Sequence, residues 1–220
     1  LGGRHFQYDR VDTVTNLGSF VFNGRDGEED IDESGSIYKA NLAFTPNENT
    51  LIYGQWSEGF RLGQGQGLPG AGCDVEPPFG ILDGSDGGVI TSRIESDTAV
   101  SQELGLKLSL LDNRLAVNTA VFKIDWDNLP TGIEAAFSTT CATTTITNNI
   151  GSAETEGIEV DATYLLDAWA FSLSASYIDT ARTNTRLPLE VGERLPYAAQ
   201  TNANAGLQYN FTMNGYSGFI

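Results

Sequence analysis

"ELGLKLSLLDNRLAVNTAVFKIDWDNL", residues 103–129, is the stretch whose reading decides the fold. Leu104, Leu106, Leu108 and Leu110 fall on one side of an alternating run, and Glu103, Gly105, Lys107 and Ser109 on the other. A repeat of two is that of a β-strand with one apolar face. Residues 111–114, Leu-Asp-Asn-Arg, then make a tight, mostly polar turn, and a second strand runs up to Asp125 and Trp126.

The pattern recurs on both sides of this hairpin. Tyr38, Ala40, Leu42 and Phe44 oppose Ile37, Lys39, Asn41 and Ala43. Ile158, Val160, Ala162 and Tyr164 oppose Glu159, Asp161 and Thr163. Trp169, Phe171, Leu173, Ala175 and Tyr177 oppose Ala170 and three serines, and Ala203, Ala205, Leu207, Tyr209 and Phe211 oppose Asn202, Asn204, Gly206, Gln208 and Asn210. Short polar turns (45–49, 111–114, 166–168) alternate with long segments at about 11–35, 61–97, 128–148 and 180–200. Short turns at one end and long loops at the other predict an up-and-down antiparallel sheet of the outer-membrane kind. Compact soluble domains rarely hold so many long loops.

Composition agrees with this reading. The 220 residues carry 29 acids against 12 bases, a net charge of -17, which excludes a nucleic-acid backbone as partner. The 25 glycines, together with many Thr, Ser and Asn, suit strands and turns. The opening "LGGRHFQYDR" shows no signal-peptide pattern. No run approaches the roughly 20 apolar residues of a membrane helix, but a transmembrane strand needs only about 9–11 alternating ones. A soluble sheet with one buried face gives the same local pattern. The position of the aromatics favours lipid: Trp56, Phe60, Trp126 and Tyr177 lie toward the long-loop end, and Phe44, Tyr164, Trp169, Tyr209 and Phe211 toward the turn end, as two interfacial girdles would.

Four collinear stretches carry a resemblance. "KANLAFTPNENTLIYGQWSEGFRLG" (39–63), the hairpin at 103–129, "NIGSAETEGIEVDATY" (149–164) and "RLPYAAQTNANAGLQYNF" (194–211) resemble barrel strands of TonB-dependent outer-membrane receptors. The resemblance covers most of residues 36–211. It implies an all-β, antiparallel transmembrane barrel segment, with the whole of 1–220 being some seven or eight strands of a barrel of about 22. No plug domain or energy-coupling box is visible, so an interior piece of the barrel is expected, an open arc whose first and last strands do not pair. A complete eight-stranded barrel is the alternative.

The family reading implies a Gram-negative outer-membrane location and active import of a scarce nutrient: a ferric siderophore, a cobalamin or an oligosaccharide. Outer-membrane lipid, lipopolysaccharide, the plug and TonB would be its partners. Lys39, Glu103, Lys107, Glu159, Asp161, Asn202 and Gln208 would face the plug, and Arg61, Gln64 and Gln66 would meet arriving substrate. A passive porin-like channel and a soluble carbohydrate-binding sheet are the competing functions. Cys73 and Cys141 fall in long loops, and an even cysteine count in an exported chain suggests a disulfide between them. Two unpaired thiols, or pairing elsewhere, are the alternatives.

Catalytic signals are weak. His5 is the single histidine, so neither a His-rich metal site nor a Ser-His-Asp triad assembles. The acidic run "RDGEEDIDES" (25–34) offers clustered oxygens that could take Ca²⁺, but it lacks the spacing and glycine of an EF-hand and reads first as a solvated loop, with loose neutralisation by Ca²⁺ as the alternative. Glu159 and Asp161 share a strand face, as lumen-wall carboxylates commonly do. "GQGQG" (63–67) is followed by no helical pattern, so it is no phosphate loop. No enzyme and no cofactor are expected.

Overall fold

The computed structural model describes residues 1–14, 27–66, 93–135, 144–185 and 191–220. Eleven strands run through them: β1 (Gly2–Val14), β2 (Gly27–Asn47), β3 (Thr50–Arg61), β4 (Gln64–Gly65), β5 (Arg93–Ile94), β6 (Asp97–Leu110), β7 (Leu115–Ala135), β8 (Thr144–Leu166), β9 (Trp169–Thr185), β10 (Thr201–Met213) and β11 (Tyr216–Phe219). Nine of them form one antiparallel sheet in the order β1-β2-β3-β6-β7-β8-β9-β10-β11, and β4 pairs with β5. The sequence pattern gives seven or eight strands, the eighth starting at 215–220; the large sheet has nine. β1 and β11 stand at opposite ends of this order, and no ladder joins them among the described residues. The sheet is an open arc.

Turn chemistry fixes the lower end. Leu111, Asp112 and Asn113 take positive φ at the β6–β7 turn, Asp167 at β8–β9, and Asn214 with Gly215 at β10–β11. Asn and Asp tolerate this region because their short side chains bond locally to the backbone. Val14, Gly27, Arg61, Ala135, Thr144 and Thr185, at the other ends of their strands, mark the opposite, upper end. The disulfide expectation at Cys73 and Cys141 lies outside the described residues, as does Asp26.

Register carries each alternating pattern across the sheet. One rung reads Leu42–Gly54–Leu104–Val121–Ile158–Tyr177. The rung above it reads Ala40–Trp56–Gln102–Lys123–Glu156–Asp179, and charge replaces hydrocarbon there. Below the first rung the face stays apolar down to Trp169 and Tyr209, whose rings meet at 4.6 Å. A sheet built this way has an apolar band on one face, bounded above by carboxylates and below by aromatics, as a bilayer requires.

No second layer covers that band. Leu42 is 78% exposed, Leu104 57%, Leu173 50% and Leu207 59%. The buried apolar residues among those described are Ile31, Ile94 and Ala153, and all lie toward the upper end. A soluble sandwich would bury its leucine face against another sheet; an exposed apolar face this wide faces lipid or a partner.

The strands outrun the band, and this corrects the loop boundaries expected from sequence. β1 continues to Val14 and β2 starts at Gly27, so much of 11–35 is ladder. The acidic run expected as a solvated loop is strand from Gly27 onward, with Ile31 only 1% exposed. β7 and β8, at 21 and 23 residues, extend through 129–135 and 144–148. A bulge between Trp126 and Leu129, with Asn128 at φ 60°, lets the pair continue past a stretch that reads as a loop. Within 61–97, β4 and β5 pair, and within 180–200, β9 continues to Thr185. The strands simply rise above the lipid.

Candidate functional site

The polar face and the upper end of the sheet hold the polar side chains that could meet a ligand. Lys39, Glu103, Lys107, Glu159, Asp161, Asn202 and Gln208 all share the face opposite the leucines, as the rungs Gln55–Glu103–Phe122, Lys107–Asn118–Asp161–Ser174 and Glu159–Ser176–Asn202 show. Midway along it the Tyr53 hydroxyl donates to Glu103 Oε1 at 2.6 Å, and the Lys107 ammonium stands 5.7 Å from the Tyr53 ring centre. The ring of Tyr53 covers Gly105, where a side chain would collide with it. Phe122 covers Gly157 in the same way. Ser174 Oγ donates to Asp161 Oδ1 at 2.6 Å. A shallow hollow of about 240 Å³ lies among Tyr53, Glu103, Lys107, Asn118, Glu159 and Asp161.

At the upper end, chain from either side of β4 and β5 folds across the polar face as a roof. Arg61 Nε and Nη2 grip the Asp97 carboxylate at 2.9 and 2.5 Å, and the Trp126 indole N–H donates to the same carboxylate at 2.5 Å. The guanidinium sits 4.6 Å above the Trp126 ring, a cation–π contact. Asp97 is 2% exposed; three donors compensate the desolvation of its charge.

The rest of the roof is tied to four strands. Gly65 N–H donates to Asp12 of β1 at 2.7 Å. Arg93 Nη2 donates to Glu33 of β2 at 2.7 Å, and Ser96 Oγ also donates to Glu33. Asn128 of β7 donates to the Ser96 carbonyl at 2.7 Å. Asn149 of β8 exchanges bonds with the backbone of Glu95, at 2.7 and 3.0 Å. Gln66 exchanges bonds with the backbone of Thr147, at 2.5 and 3.2 Å. The roof thus reaches from β1 to β8. Burial pushes the Glu33 carboxyl up, but donation from Ser96 and Arg93 outweighs this and holds it below the usual carboxylate range. The Gly65 N–H, and then Arg10, hold Asp12 low as well.

Beside the roof the wall is split. The β2–β3 ladder stops at Lys39/Ser57, whereas β1–β2 continues to Val14/Gly27 and β3–β6 to Arg61/Asp97. Tyr38 N–H, beyond the last rung, bonds to the Glu58 carboxylate at 2.9 Å. The rings of Phe6 and Phe60 stack at 3.8 Å across the split, beneath a cavity of about 540 Å³ that Arg93, Glu95 and Ser96 also line.

These contacts sort the remaining expectations. Trp56, Trp169, Tyr177 and Tyr209 sit on apolar-face rungs. Trp126 does not: it shares its rung with Ala99 and Ala153 on the polar face, because its N–H has Asp97 as acceptor. Phe60, on the same face of β3 as Trp56, stacks on Phe6. Arg61 and Gln66 are engaged in the roof, and Gln64 is exposed in β4. Asp97, Asn149 and Arg93 escaped sequence reading, and Glu33 was read only as part of the acidic run, since their partners lie 21 to 63 positions away. Among the described residues no group of three or more His, Cys, Asp or Glu is arranged to hold a metal.

Comparison with known proteins follows the same lines. The family described as TonB dependent receptor-like, beta-barrel matches residues 1–219. No curated protein matches the chain. Among solved structures, the ferric yersiniabactin uptake receptor FyuA from Yersinia pestis superposes with a TM-score of 0.63 at 13% identity, covering 88% of this chain and 26% of that one. The siderophore receptor PiuA from Acinetobacter baumannii gives 0.61 at 18% identity, covering 94% and 28%. The ferric-catecholate import receptor Fiu from K12 E. coli gives 0.55 at 20% identity, covering 94% and 28%. The chain therefore spans about a quarter of the length of these receptors.

Proposed function

The chain belongs to the TonB-dependent receptor β-barrel family, and from that premise we propose that it forms part of the wall and upper rim of an outer-membrane transporter that imports a scarce nutrient in Gram-negative bacteria. The observation that carries this reading is the division of the sheet into two faces. Hydrocarbon stands uncovered on one, and the seven polar residues from Lys39 to Gln208 share the other. A wall between lipid and a plugged, hydrated lumen needs both.

The polar face would meet the plug through Lys39, Glu103, Lys107, Glu159, Asp161, Asn202 and Gln208. Arg61, Gln64 and Gln66, at the roof, would stand where a nutrient arrives from outside. A ferric siderophore is the leading cargo, because the structurally similar receptors named above are described as taking up ferric yersiniabactin and ferric catecholates. Cobalamin and oligosaccharides are the other classes such a wall could serve. Lipopolysaccharide would surround the apolar band, and TonB would act through the plug.

The test uses the full-length receptor in cells lacking other iron receptors. Radioactive iron offered on a panel of siderophores should enter energised cells and stop entering when TonB is deleted. Uptake that persists without TonB would point to a passive channel instead.

A further inference from the structure

The split between β2 and β3 passes through the wall. Along β2, Asp32, Ser34 and Ser36 share the face of Ala40 and Leu42, and Glu33 and Ile37 share that of Lys39. All five line one cavity of about 540 Å³. The far lip repeats this division. Thr98 and its rung partner Phe60 lie on the face of Trp56, whereas Arg93, Glu95 and Ser96 belong to the roof over the polar face. A cavity lined from both faces of a sheet joins its two sides.

Aromatic rings close the split from below. Phe6 starts from the polar face, where its rung partner is Gly35, and Phe60 from the opposite one. Their rings meet at 3.8 Å because glycine lets Phe6 lie across β2: a Cβ at Gly35 would stand 2.7 Å from that ring. Above the rings the lining is polar. The side chains of Asp32, Ser34 and Thr98 make no hydrogen bond among the described residues.

We propose that this part of the split is a side entrance through which small hydrophilic solutes, cations ahead of anions, reach the space beneath the roof. The proposal rests on the reading of the chain as a barrel wall, which makes the two faces outside and lumen. A roomy polar cavity holds water, and above the lipid water serves the backbone of β2 where no strand does. Three carboxylates, Asp32, Glu33 and Glu95, line the cavity against the single guanidinium of Arg93. Such an excess in a narrow passage favours cations. The roof, tied from β1 to β8, covers the way down from above, and the split opens beside it.

The experiment uses the full-length receptor on intact cells and two membrane-impermeant methanethiosulfonate reagents, one cationic and one anionic. The reporter is Ile37→Cys, on the lumen side of the cavity, with labelling of the parent subtracted. The ratio of the two rates cancels the reactivity of the thiol itself. It should favour the cation by about tenfold. Asp32→Asn removes one of two net charges and should lower the ratio to roughly threefold. Ser34→Trp and Thr98→Trp, on opposite outer lips, should each slow both reagents severalfold. A reporter that stays unlabelled, lip variants without effect, or a ratio that Asp32→Asn leaves unchanged would each overturn the entrance. Leu106→Cys, inside the apolar band, separates the levels. If it labels as fast as Ile37→Cys, the wall reading falls and the entrance with it; if it stays silent while the lip variants have no effect, the entrance alone falls.

Discussion

Asp97 and Trp126 face each other across the β6–β7 ladder, the indole N–H donating to a carboxylate that is 2% exposed and that Arg61 also grips. Replacing Asp97 by Ala orphans the indole donor, at a cost on the order of 1–3 kcal/mol. The half-exposed Arg61 adds little to this, since solvent screens it. Amide hydrogen exchange at 62–66 and 93–96 should quicken, with Asp97→Asn falling between the two. Unchanged exchange in Asp97→Ala would remove the carboxylate from its anchoring role.

Sidedness is tested on adjacent residues. Leu106 shares its rung with Ile52 and Val160 through Thr119, inside the apolar band. Leu106→Arg should cost about 2–4 kcal/mol in a bilayer refolding assay. Lys107→Leu, on the opposite face, should cost much less. Equal costs would contradict the assignment of faces.

The ring of Tyr53 over Gly105 gives a coupled pair. Gly105→Val should displace the ring and cost about 1–3 kcal/mol, as overpacking does. With Tyr53→Ala the space is free, so the double variant should recover most of that loss. Additive costs in the double-mutant cycle would show that the ring and the glycine act independently.

The Glu33 clamp titrates. Its carboxyl is held below the usual carboxylate range, so the folded state releases this proton more readily than the unfolded one. The stabilisation is therefore complete above the unfolded pKa, about 4.3, and is lost as pH falls through the lower folded value. Hydrogen exchange at 93–96 should rise on acidification below about pH 4, and Glu33→Gln should flatten that dependence. An equal pH response in both proteins would sink the idea.

The middle of the sheet was legible because one physical rule governs it. Where Leu104 to Leu110, Ile158 to Tyr164 and Trp169 to Tyr177 meet lipid, alternation is obligatory and visible. Above the band that rule lapses. β1 offers Arg4, His5, Gln7, Asp9 and Arg10, with little apolar alternation, and is held as a strand by thirteen rungs to β2. Pro130 and Gly132 suggest a loop, yet the paired β8 carries β7 to Ala135. The roof left no periodic trace, because Arg61 and Asp97 are 36 positions apart and meet only through the register of β3 on β6. Trp126 was misplaced for the same reason: its distance from the turn is readable, but its acceptor is not.

The early end of the β2–β3 ladder has a mechanical consequence. Above Lys39/Ser57, the β1–β2 hairpin is a cantilever standing on an otherwise continuous wall. The described contacts that brace it laterally are side-chain struts: Asp12 to Gly65, Glu33 to Arg93 and Ser96, Glu58 to Tyr38, and the stacked rings of Phe6 and Phe60. Load applied to the roof passes into the hairpin through those struts and bends it about Lys39, so deflection concentrates at the rim while the lipid-embedded lattice below stays stiff.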